Sequence, residues 1–79
     1  MTEKEKMVYD LLKKNQLYAD AVYTYQNLIA VEINWGDWKH EHARADWLIG
    51  ENGGRLINEM VTEEDGSDCY SAVHYYAFN

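Results

Sequence analysis

The apolar residues of this chain switch from a helical period to a strand period twice within 79 residues, and no proline interrupts either pattern. In the segment 2–15, Met7, Val8, Leu11 and Leu12 recur at the spacing of one amphipathic stripe. Thr2 followed by Glu5 has the form of a capping box, in which each side chain satisfies an unpaired N–H. Lys13, Lys14 and Asn15 suit the negative pole of the helix dipole. A two-residue alternation follows in 18–25 and again, more cleanly, in 28–35. There Ile29, Val31, Ile33 and Trp35 alternate with Ala30, Glu32 and Asn34. Gln26-Asn27 would be the hairpin turn; it lacks glycine, so its type stays open, and one long bent strand is the alternative.

Asp37, after Gly36, is a good N-cap for a second helix over 38–49, which Gly50, Asn52, Gly53 and Gly54 then stop. Helical spacing places Trp38, His42, Ala45 and Ile49 on one face, with Asp46 and Leu48 at its borders. Segments 56–62 and 69–78 read as strands joined by an acidic Asp-Gly turn. The expected fold is a single small α+β domain over residues 1–79, in the order α-β-β-α-β-β. About four antiparallel strands carry two helices on one face, leaving a polar, tyrosine-rich face exposed. Eleven aromatics and 47% apolar residues argue against disorder. A core of this size rarely supplies more than about 3–5 kcal/mol, so a metal or a dimer interface would help.

Charge narrows the choice of partner. Fourteen acidic residues face seven Lys and Arg, a formal net charge of −7. The first fourteen residues hold Lys4, Lys6, Lys13 and Lys14 against Glu3, Glu5 and Asp10. The remainder holds eleven acids against Lys39, Arg44 and Arg55, a sum of −8. Such a body repels nucleic acid and anionic lipid and attracts basic surfaces. No apolar run approaches the roughly 20 residues of a membrane span. The single Cys69 makes no internal disulfide, and no charged n-region precedes an apolar stretch, so the chain reads as cytoplasmic.

The constellation with the look of chemistry is His40, His42, Asp46, Cys69 and His74, which are zinc-ligand types. His42 and Asp46 stand one helical turn apart and could meet Cys69 or His74 if the second helix packs on the last strand. A structural zinc there would tie helix to sheet. Against this, neither Cys-x-x-Cys nor His-Glu-x-x-His is present, and Cys69 and His74, five apart, face opposite sides of a regular strand. The competing expectation is a half-buried His42 bonded to Asp46, a buried free Cys69, and exposed His40 and His74. No phosphate loop exists and no carboxylate pair stands out, so catalysis is not expected.

Partner contact falls on Glu59, Glu63, Glu64, Asp65 and Asp68, a stretch without Lys or Arg, and on the aromatics Tyr75, Tyr76 and Trp47. The sheet face carrying them would hold Tyr70, His74, Tyr76 and Phe78, or alternatively Tyr75. Trp35 and Trp38 flank the Gly36-Asp37 cap and are expected to fix the helix entry. Trp47 lies opposite Trp38 on the helix, exposed or wedged against the first helix.

A small, acidic, aromatic-rich chain without enzyme motifs resembles the anti-CRISPR inhibitors of phages and prophages, and more broadly phage antagonists of host nucleic-acid enzymes. The stretch from Trp35 through Gly36, Asp37, Trp38, Lys39, His40 and Glu41 to His42, followed by Gly66-Ser67-Asp68-Cys69-Tyr70, has the look of small phage proteins. Anti-CRISPR proteins share no common motif, so no residue role carries across. The resemblance implies a stoichiometric inhibitor in the host cytoplasm that blocks target-DNA loading by a CRISPR effector nuclease as a DNA mimic, without binding nucleic acid or membrane itself. It would act as a monomer or homodimer, and some members of that class carry structural zinc. The alternatives are a zinc-stapled accessory protein, a small metal-dependent hydrolase using His42, Asp46 and Cys69, and a homodimer paired through strand edges.

Overall fold

A computed structural model describes residues 1–63 and 70–79, with Glu63 and Tyr70 described by their backbone alone. The order is α1 (Glu3–Lys14), β1 (Ala21–Tyr25), β2 (Leu28–Glu32), α2 (Trp38–Glu51), β3 (Gly54–Glu63) and β4 (Tyr70–Phe78). All strand pairings are antiparallel, in the spatial order β1-β2-β4-β3. The expected α+β architecture is the observed one.

Helix α1 starts at the capping box: Thr2 Oγ1 accepts from Glu5 N–H at 3.1 Å, and Glu5 Oε1 accepts from Thr2 N–H at 2.8 Å. The other Glu5 oxygen accepts from the Thr24 hydroxyl at 2.7 Å, which fastens the helix to β1 and holds the Glu5 carboxyl below its ordinary pKa. Val8 and Leu12 are its buried residues. Gln16, at φ +60, turns the chain so that Leu17 bonds back to Leu12 and enters the core. The first strand therefore begins at Ala21 rather than at 18, and Tyr18 is exposed. Gln26 and Asn27 both have positive φ, the primed turn whose twist suits a two-residue hairpin. Asparagine supplies one of these conformations without glycine.

Strand β2 ends at Glu32, short of the expected 35. Beyond it, the Asn34 side chain accepts from Ala72 N–H at 2.7 Å, replacing a ladder bond, and Gly36 turns away at φ +66. Trp35 is consequently 79% exposed and does not anchor the helix entry; Trp38, half-buried, packs against the core. Asp37 stands at the N-cap of α2, yet its carboxylate bonds His40 Nδ1 and not the helix backbone. Gly54 follows the helix where a Cβ would lie 2.3 Å from Ile49 Cγ2 and 2.7 Å from the Phe78 ring, so only glycine fits.

The core gathers Val8, Leu12 and Leu17 with Ala45 and Ile49 of α2 and with Ile29, Val31, Ile33 and Tyr76 from the sheet side. Both helices thus cover one sheet face. Registers assign Val31, His74 and Glu59 to that inner face, and Tyr23, Ala30, Tyr75 and Asn58 to the outer one. Among the described residues no helix is long and apolar enough to cross a membrane.

Candidate functional site: a histidine pair beneath the second helix

One turn of α2 separates His42 from Asp46, and both project towards the inner face of β4, where His74 and Tyr76 stand two residues apart. Asp46 Oδ1 accepts from two groups: His74 Nδ1 at 2.8 Å and the Tyr76 hydroxyl at 2.5 Å. The second His74 nitrogen, Nε2, faces Glu59 Oε2 at 3.3 Å across the β3–β4 ladder. Burial and the bond to Asp46 push the Tyr76 phenol far above its ordinary pKa, which keeps it a neutral donor.

The His42 ring lies parallel to His74, with centroids 3.9 Å apart and planes inclined by 12°. The His42 Nε2–H donates to the Ala72 carbonyl at 3.3 Å, which leaves Nδ1 bare, buried and without a hydrogen-bond partner among the described residues. Burial first, and the neighbouring His74 second, hold His42 below its ordinary pKa, which favours its neutral form. Trp38 closes one side edge-on to His42 at 6.4 Å. A cleft of about 350 Å³ opens beside the cluster, lined by Trp38, His42, Asp46, Glu59, Val61 and His74.

Three of the five metal-ligand candidates therefore meet: His42, Asp46 and His74. His40 does not join them; it is exposed and bonded to Asp37 at 2.5 Å, which raises its pKa. Cys69 lies outside the described residues. The donor types suit zinc, but the arrangement does not converge. Parallel rings direct their in-plane lone pairs along parallel planes, and Asp46 Oδ1 is already shared by two donors. Among the described residues no three His, Cys, Asp or Glu side chains form a metal cage. The competing expectation also changes: His42 is fully buried and bonds a backbone carbonyl, not Asp46, and His74 is buried, not exposed.

The partner-contact residues divide as well. Trp47 is 66% exposed on the outside of α2, Glu59 is exposed, and Tyr75 is half-buried on the outer sheet face. Tyr76 is 1% exposed and cannot touch a partner, because the two-residue strand period sends it, with His74 and Phe78, under the helices. Glu64, Asp65 and Asp68 lie outside the described residues, as does the Glu63 side chain. Sequence reading missed the two groups that complete the cluster. Tyr76 was legible as the same-face neighbour of His74. Glu59 was not, since its placement depends on the β3–β4 register, which a bulge between Leu56 and Asn58 shifts.

The outer face is a different surface. Tyr25 and Tyr75 contact each other with ring centroids 5.7 Å apart, and the Tyr75 hydroxyl reaches Met60 Sδ at 3.9 Å. Six of the seven basic residues (Lys4, Lys6, Lys13, Lys14, Lys39 and Arg44) are on the two helices, and the sheet holds only Arg55. Comparison with known protein families, with curated proteins and with solved structures finds no match.

Proposed function

We propose that this chain is a non-enzymatic inhibitory binding module of the anti-CRISPR kind, which occupies the cationic nucleic-acid channel of an effector nuclease and prevents target DNA from docking. The observation that carries this reading is the distribution of charge along the chain. The two helices balance six basic against six acidic side chains, whereas the rest of the chain, which includes the tyrosine-bearing strands, sets eight acidic residues against Arg55 alone. An aromatic surface of that sign fits a Lys/Arg-rich groove, where carboxylates substitute for phosphates and tyrosines fill apolar gaps. It does not suit direct nucleic-acid binding, which draws affinity from basic groups. In this reading the histidine cluster is scaffolding that positions β4 beneath α2, and the protein works in the host cytoplasm.

The test is a target-DNA loading assay with assembled CRISPR effector complexes of several types. Block of loading at one equivalent of this protein, with no chemical change to effector or guide, supports the proposal. Undiminished loading by every effector, or binding of the DNA by this protein, overturns it.

A further inference from the structure

The cleft of about 350 Å³ between α2 and the β3–β4 pair gathers acceptors that the molecule does not itself use up. Asp46 accepts its two bonds through Oδ1 alone, and 26% of its side chain stays exposed. Glu59, with a side chain 64% exposed, lies 3.3 Å from His74. Among the described residues no Lys or Arg forms an ion pair with either carboxylate. His42 lines the same cleft, is 1% exposed, and has an Nδ1 without a hydrogen-bond partner among the described residues. With Nε2–H donating to Ala72, that nitrogen is an acceptor.

The aromatic wall already draws a cation. Lys39 Nζ stands 5.4 Å from the centroid of the Trp38 ring, and both residues line the cleft. Together these features select a class of ligand. Two carboxylates repel an anion, and an apolar ligand would strip them of water without replacing it. A metal ion needs converging lone pairs, which the parallel histidine rings do not offer. A guanidinium is a permanent planar cation whose fork of N–H groups bonds carboxylate oxygens and whose face stacks on indole. We infer that this cleft is the receptor for one arginine side chain of a partner protein, whose guanidinium takes the place of the Lys39 ammonium beside Trp38 and bonds Glu59 and Asp46. The site opens between helix and sheet, away from the outer tyrosine face, so it stands whether or not the chain fills a nucleic-acid channel. Lys39 and Glu59 are exposed at its rim, and altering them leaves the buried cluster in place.

The probe is N-acetyl-arginine methylamide, titrated into the full chain at constant ionic strength up to about 50 mM, enough to load a millimolar site. Amide and ring NMR signals report where it binds. Saturable shifts are expected at Trp38, Ala43, Asp46, Val61 and His74, with no response to the uncharged citrulline counterpart and a weaker one to the lysine counterpart. Glu59→Gln should loosen binding about threefold, the scale of one exposed ion pair. Lys39→Met removes the competing ammonium and should tighten it. Circular dichroism checks that both variants fold; should either fail, the citrulline comparison on the unaltered protein decides. No saturable shift, shifts outside the cleft, equal binding of the citrulline or lysine probe, or an affinity unmoved by Glu59→Gln overturns the inference.

Discussion

Beneath the helices, polar side chains gather on one another: Asp46 receives His74 and Tyr76, Glu59 lies against His74, and His42 stacks on His74. On the opposite face, Tyr23, Tyr25, Tyr75 and Met60 meet solvent or one another, and among the described residues no helix covers them. The two faces are built from the same strands, alternate residue by alternate residue. The difference teaches where stability and recognition should reside. Alterations under the helices should unfold the protein without a specific effect on binding. Alterations on the bare face should change binding and leave the fold.

The largest effect is expected at Asp46. Asp46→Ala leaves His74 and Tyr76 without their shared acceptor, and a buried polar group left without its hydrogen-bond partner costs about 1–3 kcal/mol. Urea unfolding should show it as a lower midpoint with an unchanged slope. Next is Gly54→Ala, whose Cβ meets Ile49 and Phe78 well inside van der Waals contact, an overpacking cost of about 1–3 kcal/mol. The third is a pH effect. The folded state holds His42 neutral, so below its ordinary pKa of about 6.5 the unfolded chain takes up a proton that the folded chain resists. Stability should fall as pH drops through that value, at no more than about 1.4 kcal/mol per pH unit for this one group. His42→Phe should remove that component, seen as the difference between the two stability–pH curves. On the bare face, Tyr25→Ala should shift stability by less than roughly 0.5 kcal/mol and weaken partner binding. An equal loss of stability at Tyr25 and Asp46 would break the distinction between the faces. The smallest effect is expected at His40→Ala, where an exposed contact with Asp37 should leave unfolding unchanged.

The sequence made some of this comparison legible, and the limits are physical. The capping box of Thr2 and Glu5 is a local pattern, and it forms as read. The buried stripe of α2 is also local, and His42, Ala45 and Ile49 are its buried residues. That the second helix meets the last strand at His42, Asp46 and His74 follows from helical spacing plus element order. Which face of β4 is covered does not follow, since a strand alternating Ala72, His74 and Tyr76 with Val73, Tyr75 and Ala77 carries apolar atoms on both sides. That ambiguity placed Tyr76 on the wrong face. Glu59 could not be read because one bulge reverses the alternation of β3. Trp35 misled because Asn34 ends the ladder with its side chain, an event that alternation cannot signal.

The central proposal is that this acidic chain, with its net charge of −7, takes the place of nucleic acid in a cationic channel. The most direct measurement is the dissociation constant of its complex with an effector nuclease across a series of salt concentrations. The account predicts affinity that falls steeply and linearly on logarithmic axes as salt rises, as counterions return to both surfaces. Affinity that stays flat over the whole series would contradict it.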